Sequence, residues 1–184
     1  MMDDDVILLM LDFVRNRLFG KYRGKVVDNQ DAQKKGRLKV QVPVLGDVRV
    51  WAMPCVPYAG DGVGFMSLPA KDAGVWVEFE GGDPSYPIWV GCFWADNEAP
   101  ESGKPAIKLW KTSAATVRID DDATELKVQT DDNTKVTLTS EVVTEASSNK
   151  HTVGSSGVTS EAGSSKVEVS TGSVKVNDGA LEVQ

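Results

Sequence analysis

Polar and apolar side chains alternate strictly through Arg37-Leu38-Lys39-Val40-Gln41-Val42, a pattern that predicts a strand with one wet and one buried face. Val48-Arg49-Val50-Trp51 continues it, and Val75-Trp76-Val77-Glu78-Phe79-Glu80 repeats it before Gly81-Gly82 ends the run. Lys21 to Val27 alternates more loosely, and Pro87-Ile88-Trp89-Val90-Gly91-Cys92-Phe93-Trp94 is a last strand. Five strands within residues 20–94, divided by turn formers, predict a five-stranded Greek-key barrel of the oligonucleotide/oligosaccharide-binding (OB) type. Cys55 and Cys92 are expected there as small buried hydrophobes.

Beyond Lys111 the pattern changes. Apolar residues now come in i, i+2 pairs: Val117/Ile119, Leu126/Val128, Val136/Leu138, Val167/Val169, Val174/Val176 and Leu181/Val183. Turn formers such as Asp120-Asp121-Asp122, Asp131-Asp132-Asn133 and Asn177-Asp178-Gly179 divide them, which predicts an imperfect repeat of one strand per unit. The Ser/Gly-rich stretch 145–165 is less regular and is expected to be strand as well. Composition supports a division into two modules. All 13 aromatic residues lie at or before Trp110 and all 8 prolines at or before Pro105, whereas 22 of the last 73 residues are Ser or Thr. The expected organisation is an N-terminal helix over 1–19, the barrel over 20–94, a linker over 95–110 and the repeat module over 111–184.

The N-terminal run Val6 to Leu11 follows Asp3-Asp4-Asp5, where a secretory signal needs positive charge, and it is too short to span a bilayer. A helix fits: the aspartates suit its start, Arg15 and Arg17 its end, and Gly20 stops it. Its broad apolar side (Val6, Leu9, Met10, Phe13, Val14) has to be covered, by its own barrel or by a partner. Lacking a signal, the chain is expected to fold in the cytoplasm, where two unpaired thiols are at home.

The repeat module is too poor in apolar side chains to offset the ordering of so long a chain by itself. Three identical chains around one axis remove the difficulty, with the paired aliphatic residues inward and Ser, Thr, Asp and Lys outward. The expected axial core is Val117, Ile119, Leu126, Val128, Val136, Leu138, Val167, Val169, Val174, Val176, Leu181 and Val183.

Charge and chemistry narrow the function. With 20 basic against 27 acidic residues the chain carries −7, which argues against wrapping nucleic acid or coating an anionic membrane. One histidine and two cysteines leave little for a metalloenzyme, a histidine-based hydrolase or a disulfide framework. His151, in its Ser/Gly-rich surroundings, reads as a surface residue. Asp120-Asp121-Asp122 lacks the spaced ligands and glycine of a calcium loop and reads as a solvated turn. No phosphate-binding loop or nucleophile motif is present. No catalytic residue, cofactor or metal is therefore expected. The alternative use of an OB barrel is single-stranded nucleic-acid binding, with Lys21, Arg23, Lys25, Lys34, Lys35, Arg37 and Lys39 as the basic stretch and Tyr22, Trp51 and Trp76 for stacking. Eight acidic residues against nine basic ones in the same module weigh against it. A third possibility, a stalked surface adhesin, normally requires export.

The stretch from Val75 through Gly81-Gly82-Asp83-Pro84 to Gly91 resembles the barrel motif of phage baseplate assembly protein V and of related spikes of contractile injection systems, including the valine-glycine repeat proteins of type VI secretion. Gly24-Lys25-Val26-Val27-Asp28 with Gly36 to Val42 resembles the start of that barrel, and Lys111-Thr112-Ser113 through Val117 to Asp121 resembles the start of the family's β-helix. The resemblance implies an all-β protein in which the OB barrel precedes an intertwined homotrimeric β-helix or β-prism needle. It implies a central spike with partners at both ends: a baseplate hub protein at the barrel and the target cell envelope, pierced on contraction, at the needle. Several departures stand out. The linker leaves no room for the lysozyme domain of some members, and about 19 residues precede the barrel where type VI proteins carry a hub domain. His151 lies far from the needle's end, so the His-x-His iron site of some short spikes is not expected. The blunt Leu181-Glu182-Val183-Gln184 implies a separate tip protein of the proline-alanine-alanine-arginine repeat type.

Overall fold

A computed structural model describes residues 4–101, 104–130 and 134–183. Asp3, Gly103, Asp131-Asp132-Asn133 and Gln184, to which the sequence assigns a cap, a linker, a turn and an end, lie outside the described residues. Contacts divide the chain into two compact units between Ala99 and Pro100.

The first unit opens with helix α1 (Asp4–Arg15), and Gly20, at φ +97°, lies beyond its end. Strands β1 (Tyr22–Asp28), β2 (Leu38–Gln41) and β3 (Arg49–Pro54) follow. A small hairpin, β4 (Ala59–Gly60) and β5 (Val63–Gly64), precedes β6 (Gly74–Phe79) and β7 (Pro87–Phe93). The large strands close in the order β1-β2-β3-β7-β6, with β6 returning to β1. Every pairing is antiparallel except β3 with β7, which run parallel with Met53 opposite Ile88.

Alternation selects what fills this barrel. Leu38 and Val40 of β2, Val75, Val77 and Phe79 of β6, and Val26, Val42, Ala52 and Trp89 are buried. The Trp89 ring sits in that core and its Nε1–H donates to the Gly36 carbonyl at 3.2 Å, so its polar atom is satisfied. Cys55 and Cys92 correct the expectation, because both are exposed. Cys55 lies one residue past β3, and Cys92 lies beyond the irregularity in register between β6 and β7 that skips Val90. Partial burial pushes the Cys92 thiol up.

The loop between β1 and β2 is organised by one carboxylate. Asp31, whose side chain is 3% exposed, accepts hydrogen bonds from the Arg37 guanidinium, at 2.7 Å from one terminal nitrogen, and from the backbone N–H groups of Gln33, Lys35 and Arg37. The Arg37 bond, helped by those backbone donors, holds the Asp31 carboxyl well below the usual carboxylate range.

The second unit is a ten-stranded antiparallel meander in chain order. It consists of β8 (Ile107–Lys111), β9 (Ala115–Asp120), β10 (Glu125–Thr130), β11 (Lys135–Leu138), β12 (Val142–Ala146), β13 (Asn149–Gly154), β14 (Gly157–Ala162), β15 (Ser165–Val169), β16 (Val174–Val176) and β17 (Leu181–Val183). Each strand pairs with the next one of its own chain. Strand β8 also occupies part of the stretch expected as linker: Trp110 faces Val117 and Lys108 faces Ile119 across the ladder. At the β13–β14 turn Gly157 has φ +139°, and a Cβ there would lie 2.0 Å from the Val169 carbonyl oxygen, so only glycine fits.

The depressed Asp31 carboxyl fixes a pH signature. Its contribution to stability is full above the unfolded-state pKa of about 4 and is lost as pH falls through the lower folded value. Thermal melts of the full chain followed by tryptophan fluorescence should show Asp31→Asn unfolding earlier than the unsubstituted protein at neutral pH. The gap should close progressively below about pH 4. A gap that stays constant down to about pH 2 would show that the charge on Asp31 is not what holds the loop.

Candidate assembly interface

Residues directly opposite each other across a ladder share a sheet face, so the register of the meander fixes its chemistry. One column runs Ile119, Leu126, Leu138, Val142, Val153, Val158, Val169, Val174, Val183. Beside it, on the same face, runs Val117, Val128, Val136, Thr144, His151, Ser160, Val167, Val176, Leu181. All twelve positions expected as an axial core therefore fall on one face. The sequence reading missed Val142, Val153 and Val158, which complete the first column. Their strands carry one inward valine each, so no i, i+2 pair signals them.

The second column has a polar interval at Thr144, His151 and Ser160. His151, expected on the surface, is exposed, and it stands on this face with its Nδ1 2.8 Å from the Ser160 hydroxyl. The opposite face carries matched charges. Lys135, Glu145, Lys150, Glu161 and Lys166 follow one another across the ladder with alternating sign. Lys135 pairs with Glu145 at 2.5 Å, and Lys166 with its strand neighbour Glu168 at 3.1 Å. Sliding one strand by a single residue would turn its valines into this charged face.

No described side chain of the aliphatic columns is buried within the chain. Every buried hydrophobic side chain among the described residues lies between Val26 and Trp89. Leu138 is 37% exposed, Val128 43% and Leu181 61%. An exposed apolar strip of this length marks an interaction surface.

The charged residues near the start of the sheet are engaged in structure. The Arg118 guanidinium bonds Glu101 and Asp120, each at 3.1 Å, which holds it above its ordinary value. Asp120 accepts the Ala123 N–H, the main reason its carboxyl titrates low, while Asp121 pairs with Lys108. The Asp120-Asp121-Asp122 turn is thus a capped and ion-paired bend. Among the described residues no group of three or more His, Cys, Asp or Glu is placed to hold a metal ion.

On the barrel, two of the three rings considered for base stacking, Trp51 and Trp76, already carry cations, and Tyr22 packs edge-on against Phe79. The Arg23 guanidinium lies 5.1 Å from the Trp76 ring centre and 4.8 Å from that of Phe93. Arg37 stands 5.3 Å and the Lys39 ammonium 6.0 Å from the Trp51 ring centre. These contacts occupy both basic groups and aromatic faces that a single strand would need. The Gly81-Gly82-Asp83-Pro84 motif serves the N-terminal segment instead: Leu18 N–H donates to the Gly82 carbonyl at 2.7 Å, and Arg17 pairs with Asp83 at 3.1 Å. Among the described residues no helix is long and apolar enough to cross a membrane.

Residues 22–94 match the family model of the type VI secretion system/phage-baseplate injector OB domain. The match coincides with the closed barrel and is the family that the strand–turn–strand motif resembles. No curated protein matches the chain. If the barrel's aromatic faces are closed to bases, titrating the full chain with single-stranded DNA at physiological salt should leave its tryptophan fluorescence unchanged. Saturable quenching at micromolar DNA would reinstate nucleic-acid binding.

Proposed function

We propose, from a barrel that is an injector OB domain of the phage-baseplate and type VI secretion class, that the chain is the trimeric central spike of a contractile tail or injection machine. The observation that carries this reading is the aliphatic face of the second unit, which its own chain leaves uncovered. Three copies facing one axis bury both columns and leave the charged face in water. Residue types agree: Val, Leu and Ile fill a narrow axis, and aromatic residues are absent after Trp110. Ten strands about 4.8 Å apart make a shaft of roughly 45 Å.

The mechanism is mechanical. In this reading the barrels join the hub that begins the tail tube, and the shaft transmits the thrust of contraction to the target cell envelope. A shaft whose chains share one core resists bending and unzipping, because separating them exposes two apolar columns per chain at once. A separate tip protein at the C-terminal end would complete the point. The particle would assemble in the bacterial cytoplasm and act as a structural part, with no catalytic step. The barrel's family supports a baseplate role, and the ion-paired turns and cation-covered rings favour no second reading.

Light scattering on the purified full chain should give three times the 19.8 kDa of one chain. Val174→Asp with Val176→Asp would place carboxylates in the shared core and should prevent assembly while the barrel's near-ultraviolet circular dichroism is kept. Lys166→Gln, on the charged face, should leave the mass trimeric. A monomeric natural chain, or a trimeric double-aspartate variant, would contradict the reading.

A further inference from the structure

The barrel unit carries two apolar surfaces that its own chain leaves uncovered. Helix α1 presents eight large apolar residues between Val6 and Val14, each 38–71% exposed. Its polar residues are confined to the ends and to Asp12, so it is apolar around most of its circumference, the character of a buried helix. The second surface is a groove of about 460 Å³ between the β4–β5 hairpin and the barrel, lined by Tyr58, Val63, Met66 and Leu68 with Lys34 and Lys35 at its side.

The two surfaces are complementary in charge. Asp4 and Asp5 open the helix, and Lys34 and Lys35 flank the groove. Among the described residues neither lysine forms an ion pair, and both side chains are exposed. Their backbone is fixed by the buried Asp31 carboxylate, which accepts the Lys35 N–H at 2.8 Å, while Lys34 N–H donates to the Asp31 carbonyl at 2.9 Å. The loop therefore presents two cations in a set place.

Within one chain the two surfaces do not meet. The exit of the helix is held at the far end of the sequence motif, by Arg17 to Asp83 and Leu18 to Gly82, and the exposed helix side chains show that the groove of the same chain does not receive it.

We propose that α1 of each protomer docks in the groove of a neighbouring copy, with its aspartates against Lys34 and Lys35. The inference rests on the trimeric reading above. Each chain carries one helix and one groove, so a head-to-tail contact repeated about a threefold axis closes with no surface left over. The docked helices tie the barrels into a ring. This gives the injector barrel an assembly contact of its own, independent of the valine face.

A water-soluble carbodiimide joins a carboxylate to an amine only where the two touch. Treating the full-length protein should give covalent dimers and trimers on a denaturing gel, with linked peptides joining Asp4 or Asp5 to Lys34 or Lys35. Lys34→Glu with Lys35→Glu should abolish these products, and adding Asp4→Lys with Asp5→Lys should restore them by reversing the pair. Links confined to single chains, no links between these residues, or failure of the reversed pair to restore them would overturn the docking. Light scattering on the same samples separates the two readings. A trimer without the links removes the helix docking and leaves the spike intact, whereas a monomer removes the trimeric reading and the docking with it.

Discussion

A single-layer sheet with one aliphatic face and one charged face cannot be at rest in water, and the rest of the molecule follows from that constraint. The register of the ten C-terminal strands places two columns of Val, Leu and Ile side by side. The opposite face alternates lysine and glutamate across successive strands, which fixes the register by pairing unlike charges. Such a sheet has its strand order settled inside one chain. In the proposed spike its burial falls to other copies, so that the stability of this half would be tied to association.

The barrel solves the same problem alone. Its strands close on themselves, so that Leu38, Val40, Val75 and Val77 are fully enclosed and no main-chain edge is left along the ring. The contrast explains why aromatic residues and prolines crowd the first half of the chain and are missing from the second. A closed barrel has the volume for Trp89 and Phe79 and needs tight turns, whereas the axial core of the proposed trimer would accept only slim side chains. The Asp31 side chain and its bonds to Arg37 hold the β1–β2 loop of the barrel without occupying the core.

How much of this could be read from the residues follows from how strong each local signal was. Arg37 to Val42 alternates without fault, and it forms a strand with the expected buried positions. Six i, i+2 pairs marked the apolar face, and the register unites them. Val142, Val153 and Val158 escaped because none has an apolar residue two positions away, and only cross-strand neighbours reveal their side. Strand β8 escaped because Pro105 and the nearby turn formers read as linker, although Leu109 and Trp110 belong to the ladder. The β4–β5 hairpin lies in a segment dense in glycine and proline, where periodicity carries no information. Cysteine burial was misjudged because residue type was weighed without position: Cys55 lies just past the end of β3 and Cys92 next to the end of β7. The exposure of α1 could not be foreseen, since an amphipathic pattern shows that a helix needs cover and not where the cover comes from.

The central claim, that the aliphatic face is shielded by other copies, is most directly tested by thiol labelling of the assembled protein. With Cys55 and Cys92 replaced by serine, one variant carries Val128→Cys on the aliphatic face and another Lys127→Cys on the charged face. In a lone chain Val128 is 43% exposed and the Lys127 side chain 27%, so an isolated protomer would label faster at position 128. The account predicts the reverse: rapid maleimide labelling at 127, and none at 128 until the protein is denatured. Faster labelling at 128 than at 127 in the native protein would contradict it.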